Sequence, residues 1–157
     1  MFGLYNTLLH LALLVSLPLW FLAFFSKRRV YRGFLERLGR YSTNTRNALL
    51  GHPCIWIHSA SVGEVKSATP LIEGIKSRFP AQKILLSTMT ATGREIARES
   101  ISGIDAVVYF PLDLPWVVSG ALRRFSPALI ILLETEVWPN FIHTSCRQGI
   151  PVVTLSG

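Results

Sequence analysis

The sequence predicts an α/β fold: a parallel five-stranded sheet of strand order 3-2-1-4-5, preceded by a transmembrane helix. Three observations predict it. From residue 53 short apolar runs alternate with amphipathic segments, the strand–helix alternation of a parallel sheet with helices on both faces. The first and fourth of these runs are the most apolar, so they belong at the sheet centre. Ahead of them, Leu4 to Phe25 is an apolar run without Lys, Arg, Asp or Glu.

That first run (residues 1–26) reads as the anchor. A spanning helix needs about 20 predominantly apolar residues. Asn6, Thr7, His10, Ser16 and Pro18 interrupt it, and His10 and Pro18 are read as tolerated membrane residues. Trp20, Phe24 and Phe25 lie near its end as interfacial aromatics do, and Lys27-Arg28-Arg29 follows at once. The positive-inside rule keeps that flank cytoplasmic and puts the N-terminus in the periplasm. A cleaved signal peptide would carry its charge before the run, not after it. A helix lying in the membrane plane would show a basic face, whereas this run is apolar all round; Pro18 leaves room for a kink.

Residues 27–52 form a basic, membrane-proximal segment. Residues 1–50 carry seven basic side chains against one acid, while residues 51–157 carry nine against eight. The net charge of +7 therefore sits almost wholly in the N-terminal segment. A nucleic-acid-binding fold would spread such charge over its folded surface, so no nucleic-acid partner is expected. Anionic membrane lipids are the partner such a flank suits. Tyr41–His52 reads as a hinge.

Residues 53–157 form the lobe. Cys54–His58, Lys83–Met89, Ala106–Phe110, Ala128–Leu133 and Pro151–Leu155 read as strands. Glu64–Arg78, Thr92–Ser100, about Leu114 to Phe125 and about Trp138 to Arg147 read as the helices between them. Asp113 is a plausible N-cap for the third helix, with Pro115 in its first turn. Cys54 and Cys146 match no metal or redox spacing and read as reduced thiols. Order 3-2-1-4-5 keeps the crossovers right-handed.

Ligands of such sheets bind beyond the carboxyl ends of the strands where the winding reverses, here between the first and fourth. Past the first strand comes His58-Ser-Ala-Ser61-Val-Gly63-Glu64; past the fourth comes Glu134-Thr-Glu136-Val-Trp138. Two acidic clusters should face each other. Past the second strand lies a hydroxyl-rich stretch, with Thr90, ending in Arg94. The loop at 58–64 is neither a dinucleotide fingerprint nor a P-loop, but Gly63 would let a ligand approach backbone N–H groups. Ser61-Val-Gly-Glu64 also fits a helix-capping box, as does Thr92-Gly-Arg-Glu95. Glu64 is therefore open to both a capping and a functional role. Glu134 and Glu136 end a probable central strand, where a carboxylate is costly without a partner or a task. The alternatives for them are a helix cap or a salt bridge to Arg94. His58 reads as structural, and Trp138 equally as core or as a sugar platform.

The runs W-I-H-S-A-S-V-G-E (56–64), S-T-M-T-A-T-G-R-E (87–95), Y-F-P-L-D-L-P (109–115) and E-T-E-V-W-P-N (134–140) together resemble the 3-deoxy-D-manno-octulosonic acid (Kdo) transferases. The N-terminal apolar segment and its basic flank, including residues 32–40, share the likeness. The resemblance implies the Rossmann-like N-terminal lobe of a two-lobed GT-B glycosyltransferase at the cytoplasmic face of the inner membrane. It implies an inverting transfer of Kdo from CMP-Kdo to the lipid A precursor lipid IVA, without metal ion or cofactor. Glu64 matches the family's catalytic base. Glu134, Glu136 and Arg94 match positions lining the same cleft, and Glu136 is favoured as the second catalytic acid. Ser61, Gly63, Thr90, Arg94 and Glu134 are the candidate acceptor-binding residues. The family's donor lobe would lie beyond Gly157, so this chain alone is expected to be inactive. The rival reading is a membrane-tethered module that binds lipid A precursor without catalysis.

Overall fold

A computed structural model of the 157-residue chain describes residues 2–26, 28–51, 53–134 and 136–156, with side chains described from residue 3 to 16 and from residue 33 onward in those ranges. The five strands are β1 (Cys54–His58), β2 (Lys83–Thr88), β3 (Ala106–Tyr109), β4 (Leu129–Leu133) and β5 (Val152–Leu155). All pair in parallel, in the order β3-β2-β1-β4-β5. The expected strand order is therefore the observed one. Helices α1 (Phe2–Ser26), α2 (Arg28–Arg37) and α3 (Thr43–Asn47) precede the sheet, and α4 (Val62–Arg78), α5 (Ala91–Ser100), α6 (Pro115–Phe125) and α7 (Pro139–Arg147) connect the strands.

The period-2 alternation of the strands divides the core between the two sheet faces. Trp56, Leu85, Val108, Ile130 and Leu132 pack beneath α6 and α7 with Phe110, Phe125 and Phe141. Ile57, Ile84, Leu86, Val107 and Ile131 pack beneath α4 and α5 with Val65, Ala68, Ile72 and Ala97. Each fully buried side chain of this size contributes about 1.5–3 kcal/mol. His58 lies on the same face as Trp56, two residues on, and directly opposite Ser87 in the β1–β2 register. That placement decides its chemistry below.

Three expectations need correction. Asp113 does not cap α6, whose N-cap is Leu114 with no side-chain bond. It instead accepts the N–H groups of Asn140 and Phe141 at 3.0 and 2.7 Å, so it caps α7. The helix after β2 starts at Ala91, not Thr92; Thr90 is its cap and accepts the Gly93 N–H at 3.0 Å. A Cβ on Gly93 would lie 2.7 and 2.8 Å from the Thr88 and Thr90 hydroxyls, which makes glycine necessary there. The expected hinge at 41–52 is packed onto the lobe: Tyr41 and Leu49 are buried, the Tyr41 ring meets Phe125 at a tilt with centroids 4.7 Å apart, and Arg124 donates to the Tyr41 carbonyl at 2.8 Å. His52 lies outside the described residues.

The transmembrane helix is also not supported as expected. Among the described residues no helix is long and apolar enough to cross a membrane. Tyr5 Oη donates to Asp113 at 2.8 Å, and Asn140 Nδ2 donates to Asn6 Oδ1 at 2.7 Å. Residues bonded to the lobe cannot also stand on the far side of a bilayer from it. Apolarity suggested a spanning helix, but Tyr5 and Asn6 find polar partners on the lobe. The side chains of Pro18, Trp20, Phe24, Phe25 and Lys27-Arg28-Arg29, on which the interfacial reading rests, lie outside the described residues.

Candidate active site

The carboxyl ends of β1 and β4 open onto a cleft of about 370 Å3 lined by Glu64, Glu134, Glu136, Val137 and Trp138. The two acidic clusters thus meet where the winding reverses. No lysine or arginine is among these lining residues. A second hollow, about 290 Å3, lies near the amino end of β3 beside α3 and α5, away from these acids.

Glu64 stands in the first turn of α4, where Ser61 is the N-cap, and its carboxylate reaches back one residue beyond the cap, to Ala60. Ser61 Oγ accepts the Glu64 N–H at 3.2 Å and donates to Glu64 Oε1 at 2.8 Å, while Glu64 Oε2 accepts the Ala60 N–H at 2.7 Å. The cap holds the carboxylate in one orientation at the cleft. It does not exhaust it, because an ionised carboxylate has about four acceptor positions. Capping and functional readings are therefore compatible. A Cβ on Gly63 would meet only Ser61 Oγ, at 3.8 Å, so folded packing does not demand this glycine.

Glu136 faces Glu64 from the β4 side. Its Oε2 accepts the Trp138 Nε1–H at 2.8 Å and lies 3.4 Å from His58 Nε2. The nearby His58, opposed by partial burial and aided by Trp138, holds the Glu136 carboxyl below the usual carboxylate range. Trp138 is therefore both cleft wall and hydrogen-bond donor. Glu134 is exposed and adopts a left-handed backbone with φ +61°, its N–H donating to the Leu155 carbonyl at 2.8 Å. A glutamate in that region costs about 1–2 kcal/mol, and such outliers gather at functional sites.

The other candidates divide. Ser61 belongs to the Glu64 network. Thr90 caps α5 and does not line the cleft. Arg94 is turned away: it pairs with Glu36 at 2.7 Å, and with Arg37 it brackets the Tyr109 ring at 4.6 and 4.8 Å. Glu36 also accepts the Tyr109 N–H at 3.1 Å, so Arg94 fastens α2 to β3. The alternative reading of Glu134 and Glu136 as salt-bridge partners of Arg94 is not realised, since Arg94 pairs with Glu36. His58, read as structural, is buried beside Glu136, and its partner Ser87 was not singled out from the sequence. A histidine ending a central strand beside the acidic loop was the available signal. Among the described residues no group of three or more His, Cys, Asp or Glu side chains is placed to hold a metal ion.

Comparison with known proteins bears on this site. A family model described as 3-deoxy-D-manno-octulosonic-acid transferase (kdotransferase) matches residues 32–157, which include the whole cleft. A 3-deoxy-D-manno-octulosonic acid transferase of Haemophilus influenzae is 40% identical over 99 residues, 63% of this chain and 23% of the relative. One of Chlamydia trachomatis is 28% identical over 155 residues, 98% of this chain and 35% of the relative. A bifunctional glycosyltransferase/methyltransferase of Fusobacterium nucleatum is 31% identical over 135 residues, 82% of this chain and 21% of the relative. The matched region therefore spans between 21% and 35% of the length of these relatives.

Proposed function

This chain belongs to the 3-deoxy-D-manno-octulosonic-acid transferase family, and from that membership we propose that it forms the acceptor-binding half of a glycosyltransferase that moves Kdo from CMP-Kdo onto lipid IVA with inversion. Glu64 is the general base, and Glu136 works beside it. The observation that carries this reading is the meeting of Glu64, Glu134 and Glu136 in one cleft beyond β1 and β4. A sugar hydroxyl is a weak nucleophile, so a carboxylate within hydrogen-bond reach takes its proton as the new glycosidic bond forms and CMP leaves. The cap on Glu64 fixes the direction of that carboxylate in advance, which favours such a role. An acidic cleft suits sugar hydroxyls and repels phosphates. The acceptor phosphates and anionic lipids belong with the basic segment 27–46.

The lobe acts at the cytoplasmic face of the inner membrane, held there by α1. Leu4, Leu8, Leu11 and Val15 lie on one exposed helix face, 69, 57, 53 and 77% exposed, while Tyr5 and Asn6 tie another face to Asp113 and Asn140. This supports a helix that inserts its outer face into lipid while the lobe stays at the surface.

The test is Glu64→Gln. Glutamine also serves at the third position of a capping box, so the fold is kept and only the base is lost. Assayed with CMP-Kdo and lipid IVA in a polypeptide that includes a donor-binding lobe, the variant should lose about 100- to 10,000-fold in kcat. The 157 residues alone should transfer nothing. Normal transfer by the variant would reduce Glu64 to a cap and favour a non-catalytic module that binds lipid A precursor.

A further inference from the structure

His58 is fully buried at the end of β1, yet its two ring nitrogens face different chemistry. Nδ1 lies 3.0 Å from Ser87 Oγ and 3.2 Å from the Ser87 carbonyl oxygen. Nε2 lies 3.4 Å from Glu136 Oε2, within ion-pair reach, but makes no hydrogen bond among the described residues. The ring is clamped in place, stacked on Phe110 at 3.9 Å and met edge-on by Trp138 at 6.1 Å.

The neighbours favour one placement of the ring proton. Trp56 Nε1 donates to Ser87 Oγ at 2.7 Å, and an indole N–H can only donate. The Ser87 hydroxyl is therefore already an acceptor, and its own proton is free to point at His58 Nδ1. The Ser87 carbonyl already accepts the Ser59 N–H at 2.9 Å. Each Ser87 oxygen keeps a second lone pair, so the tautomer turns on Nε2: a proton there faces the Glu136 carboxylate, and Nδ1 then accepts from the Ser87 hydroxyl. The opposite tautomer would turn a bare nitrogen lone pair toward a carboxylate.

We propose that His58 is a positioning residue for Glu136: the chain Trp56–Ser87–His58 fixes the ring with Nε2–H directed at the Glu136 carboxylate and holds that carboxylate in the cleft opposite Glu64. The depressed Glu136 carboxyl, whose foremost cause is His58, agrees with this geometry. The charged groups around this contact are Glu136 itself, Glu134 on the same loop and Glu64 on the β1 side of the cleft. The distance of 3.4 Å is long for a hydrogen bond, and such contacts commonly tighten once substrate is bound. The catalytic consequence rests on the reading of the cleft as the transfer site; the tautomer does not.

Two measurements test it. In long-range nitrogen–proton NMR spectra of the labelled chain, His58 should show a protonated Nε2 and an acceptor-type Nδ1. Ser87→Ala should abolish that preference. A protonated Nδ1 with a bare Nε2 would overturn the proposal. In the transfer assay, with the donor-binding lobe present, His58→Asn and His58→Gln are compared. The glutamine amide nitrogen can reach the place of Nε2; the asparagine amide nitrogen reaches only that of Nδ1. His58→Asn should lower kcat about 100-fold with KM for the acceptor unchanged, and His58→Gln should recover most of it at equal Tm. Equal loss in both variants at equal Tm would overturn the proposal. If Glu64→Gln is inactive in the same assay, that failure belongs to His58 alone; if Glu64→Gln is fully active, the transfer-site reading fails instead.

Discussion

The β2–β3 side of the lobe and the β1–β4 crevice treat their carboxylates in opposite ways. On the β2–β3 side Glu36 and Asp105 take cations and backbone N–H groups as partners. Glu36 takes Arg94 and the Tyr109 N–H. Asp105 takes Lys76 and Lys83, each at 2.9 Å, and the Ile84 N–H at 2.9 Å. In the crevice Glu64, Glu134 and Glu136 share one space with no lysine or arginine lining it. The partners of Glu64 and Glu136 are a hydroxyl, one backbone N–H, an indole and one histidine. A protein built for stability alone would neutralise such a cluster as it neutralises Asp105. Leaving it unneutralised is what favours the crevice as the proposed site.

The largest expected effect falls on the paired side. Arg94→Ala should cost about 3 kcal/mol, because it strands the Glu36 carboxylate where both side chains are only 13–14% exposed. Arg94→Lys should recover part of it, since an ammonium cannot bracket Tyr109 as a planar guanidinium does. Urea unfolding measures both. A Glu64→Gln or Glu136→Gln variant should cost much less, so equal losses on the two sides would break the comparison.

A smaller effect, with a pH signature, is expected at Asp105. Burial pushes its carboxyl up, but Lys83, the Ile84 N–H and Lys76 outweigh burial and hold it below its ordinary value. A carboxyl depressed in the folded state adds stability above its unfolded value of about 3.9, and that stability is lost as the pH falls through the lower folded value. Asp105→Asn should therefore cost about 1–2 kcal/mol near neutral pH, allowing for solvent screening of the two lysines. The difference from the parent chain should shrink below about pH 4. A difference that stays constant from pH 7 to pH 3 would mean that the ion pairs contribute nothing.

The same contrast explains what could be read from the sequence. Strand positions, their order and the crevice were legible because apolar periodicity and the winding rule are local or topological properties. The runs Cys54–His58 and Leu129–Leu133 declare their centrality by composition alone. Polar pairings carry no period. Asp113 caps a helix 27 residues on, and Glu36 meets Arg94 across 58. The chain from Trp56 to Glu136 joins β1, β2 and the β4 loop through side chains that only the register brings together. Tyr5 and Asn6 misled for the same reason: a hydropathy pattern cannot show that two polar groups in an apolar helix have partners on the lobe.

The smallest effect would sharpen the comparison most, because its sign is opposite. Glu134 is the one crevice acid whose backbone is strained, at φ +61°. Glycine adopts that conformation freely, though it loses more entropy on folding. Relief of about 1–2 kcal/mol set against that loss leaves Glu134→Gly more stable than the parent by about 0.5–1 kcal/mol. A gain at a crevice carboxylate, set beside losses at Glu36 and Asp105 partners, would identify Glu134 as a residue kept at the expense of stability. The same variant should then weaken transfer in the assay that contains a donor-binding lobe. If Glu134→Gly destabilises the lobe, the left-handed turn is held by the Glu134 side chain itself, and the crevice is less different from the paired side than its missing cations imply.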